Sequence, residues 1–116
     1  MTKRGARATR PPQPGQWTIR YVDSESGKGW EVLSSQMASS IATLFDKLSV
    51  DPTHSHNRDR QGPLKGTLGH AQIRGESLPQ WQYELAGGGR IWYAIDGTKK
   101  TVWITKATAR HPNETK

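Results

Sequence analysis

The chain has 116 residues and no cysteine, so it has room for one small domain and cannot form disulfide bonds, thiolate metal sites or a cysteine nucleophile. Only 32% of the residues are hydrophobic, and no apolar run approaches the roughly 18 residues of a membrane span, so we expect a cytoplasmic protein with no membrane partner. The net charge of +7 favours a polyanionic partner over a small metabolite. His54 and His56 lie two residues apart in a polar segment, which is too little for a metal site.

Charge and proline divide the chain into an arm and a domain. The first ten residues contain four cations, Lys3, Arg4, Arg7 and Arg10. Three prolines follow in residues 11–15. This composition predicts a disordered basic arm over residues 1–15 and a single domain over residues 16–116.

The first half of the domain contains a predicted strand and a predicted helical segment. Apolar and polar residues alternate over residues 17–22, which predicts a strand that ends at the polar cluster of residues 23–28. Residues 29–50 carry apolar side chains at i, i+3 and i+4, and the serines among them favour two helices that meet near Ser35.

A polar linker is predicted over residues 54–62, and a second strand over residues 71–74. The segment of residues 75–79 contains glycine and proline, which predicts a break before the last part of the chain.

Residues 78–111 predict three strands joined by two tight turns. A loop at residues 87–89 would place Tyr83 opposite Tyr93 and Leu85 opposite Ile91, on an apolar face that packs on the helices.

The other face of this sheet carries polar groups and tryptophan. Its members are Gln82, Glu84, Arg90, Trp92 and Ala94. A short turn at Gly97 and Thr98 would add the apolar residues of the last strand to the core and bring Trp103 beside Trp92. The predicted fold is therefore α+β, with an N-terminal strand and a helical segment packed on a small twisted antiparallel sheet.

The order of these elements, with three short motifs, resembles the RelE/ParE superfamily of type II toxins. The motifs are Pro63-Leu64-Lys65-Gly66, residues 88–96, and Val102-Trp103-Ile104 leading to Arg110-His111. The resemblance covers about residues 17–113 and implies a RelE-like fold and a cognate antitoxin as partner. RelE-like members cut mRNA on the ribosome without a metal ion or other cofactor, whereas ParE-like members inhibit DNA gyrase.

The RelE-like branch of the resemblance implies a ribosome-dependent mRNA endoribonuclease that arrests translation, in which a ribose 2′-OH attacks the adjacent phosphate. The residues it implies for catalysis are Arg90, Arg110 and His111, and Glu84 is a further catalytic candidate of this chain. The residues expected to bind RNA are Lys65, Arg74, Trp92 and Trp103. The chain departs from RelE in two ways: Gln82 and Glu84 stand where RelE has two lysines, and the C-terminal tyrosine of several members is absent. A Glu84–His111 pair could supply general base and general acid instead.

The same residues allow less specific interpretations. Arg90 could simply pair with Glu84 near the hairpin, Lys65 could be an ordinary surface lysine, and Trp92 and Trp103 could be a structural cross-strand pair. For the whole chain, the alternative is a non-catalytic protein, either a ParE-like gyrase inhibitor or a basic nucleic-acid-binding module.

Overall fold

The computed structural model describes residues 15–53, 60–85 and 87–109. The two helices are α1, Ser24–Gln36, and α2, Ala38–Val50. The strands are β1 Thr18–Tyr21, β2 Gln61–Pro63, β3 His70–Ile73, β4 Glu76–Glu84, β5 Arg90–Asp96 and β6 Thr101–Thr108. A short 3₁₀ helix, Gly66–Gly69, lies between β2 and β3. The predictions for residues 1–14, His54, His56, Arg110 and His111 fall outside the described residues.

The strands form one sheet in the order β1-β6-β5-β4-β2, and β3 pairs with β4 off this path. The pairings β2–β4, β3–β4, β4–β5 and β5–β6 are antiparallel, whereas β1 runs parallel to β6. The α+β class predicted from the sequence is confirmed, with a mixed rather than purely antiparallel sheet. Within the described ranges, no helix is long and apolar enough to cross a membrane.

The helical segment begins earlier than predicted, because the polar cluster after β1 is a helix cap and not a turn. The Asp23 carboxylate accepts a hydrogen bond from the Ser26 backbone N–H at 2.8 Å, and the Ser26 hydroxyl accepts one from the Asp23 N–H at 3.3 Å. This reciprocal capping box starts α1. The predicted division into two helices is confirmed, with the break at Met37.

The face of the sheet that packs on the helices forms the main core, as the alternation predicted. Its buried members are Trp30, Leu33, Ile41, Leu44, Leu48, Leu85, Ile91, Tyr93, Ile95, Val102 and Ile104. The predicted register was wrong by two residues, since Tyr83 lies opposite Ile91 and Trp81 opposite Tyr93. A two-residue shift returns every side chain to the same face, so the core assignment survived the error.

Two segments predicted as irregular are strands. Gln61–Pro63, placed partly in the polar linker, pairs with β4. The predicted break at residues 75–79 is the start of β4, because Arg74 and Gly75, with φ of 51° and 83°, turn the chain directly from β3 into β4. Pro79 is tolerated there because this part of β4 pairs with β3 but not yet with β5.

Candidate nucleic-acid interface

The surface of the sheet that points away from the helices, here called the outer face, collects the polar side chains of the central strands. The residues that alternate with the core on β4 and β5 place there Gln82, Glu84, Arg90, Trp92 and Ala94. On β6 a bulge opposite Trp92 and Tyr93 interrupts the alternation, so that Lys106 pairs with Trp92 while Ile104 pairs with Tyr93. The outer face is therefore one continuous surface across β4, β5 and β6.

Arg90 and Glu84 form an ion pair at the end of this face next to the glycine loop. They lie opposite each other in the β4–β5 register, and Arg90 Nη1 is 2.7 Å from Glu84 Oε1. The loop closes through a hydrogen bond from the Leu85 N–H to the Gly89 carbonyl at 2.7 Å. Gly87 has a φ of 99°, a backbone conformation in which a side chain would be strained. The pairing that the sequence left open is thus present, and the loop fixes its geometry.

The two groups of this ion pair differ in access to solvent. The Glu84 side chain is 33% exposed, whereas that of Arg90 is only 12% exposed. Arg90 Nη1 is partnered by the Glu84 carboxylate, whereas the buried Nε has no hydrogen-bond partner within the described residues. Arg90 is thus a largely buried arginine whose charge faces a more exposed carboxylate.

The next row across the sheet is Gln82, Trp92 and Lys106. Trp92 is only 4% exposed, its indole N–H donates to Gln82 Oε1 at 3.0 Å, and Lys106 Nζ lies 4.7 Å from the centre of its ring. A ring this buried has little surface to offer a nucleobase, which favours the structural interpretation of Trp92. Lys106 adds a positive charge one row from Arg90, and the sequence analysis missed it because the bulge shifts its side chain onto the outer face.

Trp103 and Arg74 meet at the opposite end of the outer face. Trp103 pairs with Ala94 and not with Trp92, since the turn between β5 and β6 takes the four residues 97–100 instead of the shorter turn predicted. Arg74 lies over the Trp103 ring, with Cζ 5.0 Å from the ring centre. Two of the predicted RNA-binding residues are therefore in direct contact.

Lys65, the remaining predicted RNA contact, is exposed just before the 3₁₀ helix. Among the described residues, no hydrogen bond or ion pair joins it to Glu84 or Arg90. Arg110 and His111 lie outside the described residues, and Thr108, two residues before Arg110, pairs with Arg90 across the sheet. In the described ranges no three His, Asp or Glu side chains come together to hold a metal ion.

No family model and no curated protein matches the chain, but solved structures do. The RelBE2 toxin–antitoxin complex of Mycobacterium tuberculosis matches with a TM-score of 0.56 and 21% identity, over 82% of this chain and 99% of that one. A YoeB/ParE toxin from Agrobacterium tumefaciens matches with a TM-score of 0.59 and 15% identity, over 81% and 99%. The RelE–RelB complex of Pyrococcus horikoshii OT3 matches with a TM-score of 0.57 and 18% identity, over 81% and 94%.

The chain has the RelE/ParE fold. The resemblance drawn from the short motifs is confirmed at the level of the fold, and the matches span nearly the whole length of each neighbour. On this RelE-like fold, the polar face of the strand before the hairpin presents Gln82 and Glu84. Next to the glycine loop, the outer face thus combines the Glu84 carboxylate with the cations Arg90 and Lys106, a set that can bind phosphate and transfer a proton.

Proposed function

We propose that the protein is the toxin of a type II toxin–antitoxin system and acts as a ribosome-dependent mRNA endoribonuclease. The observation that carries the proposal is the Glu84–Arg90 pair, held at 2.7 Å beside the glycine loop on the outer face of a RelE-like fold. A partly exposed carboxylate, which can accept a proton, next to an arginine, which can bind phosphate, is suited to phosphodiester chemistry.

In the proposed reaction, the ribose 2′-OH attacks the adjacent phosphate and the bond from phosphorus to the 5′ oxygen breaks. Glu84 takes the proton of the attacking hydroxyl, since its side chain is the more exposed of the pair. The guanidinium of Arg90 leaves the carboxylate for the phosphate oxygens, on which negative charge develops. His111 returns a proton to the leaving 5′ oxygen, so the products are a cyclic phosphate and a free 5′-hydroxyl.

Lys106 supports this chemistry from the neighbouring row. Its ammonium lies over the Trp92 ring on the outer face, where it attracts the RNA backbone and offsets the charge of Glu84. It thereby replaces in part the lysines that RelE carries at the positions of Gln82 and Glu84.

The second candidate is a non-catalytic gyrase inhibitor of the ParE type. Two contacts favour the gyrase inhibitor. Gln82 is bound to the Trp92 indole rather than available to RNA, and Arg90 is already paired with Glu84. In this case the outer face would be a protein-binding surface and the ion pair a structural contact.

The proposed partner is a cognate antitoxin. Two of the matching structures are complexes of a toxin with its antitoxin. A protein of net charge +7 is best covered by an acidic or mixed-charge segment, because opposite charges speed and orient docking. We expect a small protein encoded next to this one to co-purify with it.

The function is tested by inducing the wild-type protein, Glu84→Gln and Arg90→Ala in a bacterial host. Wild type should arrest growth, and both variants should relieve the arrest, since losing one such transition-state contact costs on the order of 10²–10³ in rate. Lys28→Ala, which removes an exposed cation of α1, is the matched control and should remain toxic. Full toxicity of both folded variants, together with inhibited DNA supercoiling, would replace the nuclease with the gyrase inhibitor.

A further inference from the structure

A second cleft lies on the outer face, at the end remote from Glu84 and Arg90. It has a volume of about 350 Å³ and lies where β1, the β3–β4 turn and the β5–β6 turn meet. The polar and aromatic side chains that line it include Arg20, Arg74, Glu76, Asp96, Lys99 and Trp103. Trp103 pairs with Ala94, which is four residues from Arg90 along β5, or about 13 Å at the usual rise of a strand. The cleft is therefore separate from the ion pair but on the same surface.

The aromatic wall of this cleft is fixed. Trp103 packs against a second small core formed by Ile73, Leu78 and Ala94. The two-residue turn at Arg74 and Gly75 then brings the Arg74 guanidinium over the ring. An arginine supported in this way offers a planar, charged surface on which a nucleobase can stack.

The charges at the rim favour an anion. Arg20 lies in register beside Trp103 on the parallel strand, and Lys99 and Arg74 contribute two further cations. Asp96 is buried, and its carboxylate accepts the Lys99 backbone N–H at 3.0 Å, so it holds the turn. Glu76 is exposed, so of the two carboxylates it is the one that would meet and repel a bound phosphate directly.

We propose that this cleft binds one nucleotide of single-stranded RNA, with the base stacked on the Arg74 guanidinium that Trp103 supports and a phosphate held by Arg20 and Lys99. This inference rests on the proposed function, because the nuclease proposal is the reason to expect an RNA strand across the outer face. RNA is favoured over an acidic peptide because a peptide carboxylate would use the cations but not the supported planar surface.

The test measures the affinity of the protein for a fluorescent oligouridylate, with Glu84→Gln as the background so that RNA is not cut. Arg74→Asn should weaken binding roughly fivefold or more, as expected for a lost stacking and phosphate contact, and asparagine tolerates the positive φ at this position. Arg74→Lys should recover only part of the loss, because it keeps the charge without the plane. Trp103→Leu should weaken binding to a similar degree, and Glu76→Gln should tighten it.

The controls remove matched charges elsewhere. Lys28→Ala and Asp46→Asn, both on exposed helical positions, should change the affinity much less than the cleft variants. Unchanged affinity in Arg74→Asn and Trp103→Leu, or equal losses in Arg74→Asn and Lys28→Ala, would overturn the proposal. Tighter binding of a poly-glutamate peptide than of oligouridylate, lost in the same variants, would overturn it in favour of a peptide site.

The outcome is separable from that of the proposed function. If the cleft variants bind oligouridylate like the parent while Glu84→Gln still abolishes growth arrest, the cleft proposal fails and the nuclease stands. If the cleft binds RNA as proposed but wild-type protein cuts no mRNA, the nuclease fails and the cleft stands.

Discussion

Gly29 is the position at which a single methyl group should separate α1 from the sheet. A Cβ built there would overlap the carbonyl oxygen of Ala107 on β6 and lie 3.1 Å from its carbonyl carbon. Both atoms belong to the backbone of β6, so α1 or β6 must move as a whole to relieve the overlap. Overpacking of this kind costs up to about 3 kcal/mol, and alanine returns about 1 kcal/mol of helix propensity. We therefore expect Gly29→Ala to lose about 2 kcal/mol of unfolding free energy, a fall in Tm of roughly 8–16 °C.

The measurement is urea and thermal unfolding followed by circular dichroism. Gly27→Ala is the matched control, since it gains the same helix propensity and the nearest atoms to its Cβ would be those of the flexible Tyr21 ring, at 3.1 Å and beyond. That ring is 44% exposed and can move, so Gly27→Ala should lie within about 1 kcal/mol of wild type. If Gly29→Ala is as stable as Gly27→Ala, the close approach of α1 and β6 is refuted.

Substitutions at two further positions test the core and the cap. Tyr93→Phe should lower the free energy of unfolding by about 1–3 kcal/mol, because the buried hydroxyl donates to the Pro52 carbonyl at 2.8 Å and accepts from Gln61 Nε2 at 2.9 Å. Urea unfolding measures this loss, and an unchanged midpoint would contradict the hydrogen-bond network. Burial raises the pKa of the Tyr93 hydroxyl above its ordinary value of 10.0. The contribution of this neutral hydroxyl to the free energy of unfolding is therefore complete below pH 10 and is lost as the pH rises further. In urea titrations above pH 10, wild type should lose more stability than Tyr93→Phe. Asp23→Ala should lower the free energy of unfolding by about 1 kcal/mol because it removes the side-chain cap of α1, whereas Asp23→Asn keeps a capping oxygen and should be nearly neutral. Equal losses of stability in the two variants would argue against the capping box.

Much of the fold could be predicted because alternation in the last three strands is strong. It assigned Tyr83, Ile91 and Tyr93 to the core face correctly, although their pairing was two residues out of register. Register depends on how the glycine loop closes, and the Leu85–Gly89 hydrogen bond that decides it leaves no mark in the apolar pattern.

The wrong predictions of secondary structure fall on residue types that favour two different local structures. Asp and Ser favour both turns and helix caps, so the cluster at Asp23 was assigned to a turn although its side chains cap α1. Gly75 and Pro79 suggested a break, yet Gly75 forms a two-residue turn and Pro79 lies where β4 has a single neighbour.

The candidate site was predictable in part. The sequence left open whether Arg90 pairs with Glu84 near the hairpin, and the pair is present. Lys106 could not be found from the sequence, because a bulge breaks the two-residue period that would have placed it. The contact of Arg74 with Trp103 was equally hidden, since it depends on the β3–β4 turn that the sequence suggested was a break.

Mapping mRNA cleavage on translating ribosomes tests the nuclease most directly. Purified protein is added to ribosomes stalled on a defined message, and reverse transcription locates the new 5′ ends. We predict ends at a fixed position within the codon for wild type and Lys28→Ala, reduced on the order of 10²–10³ for Glu84→Gln and Arg90→Ala. Intact message with folded wild-type protein, or undiminished cleavage by both variants, would contradict the assignment of this outer face as a ribonuclease site.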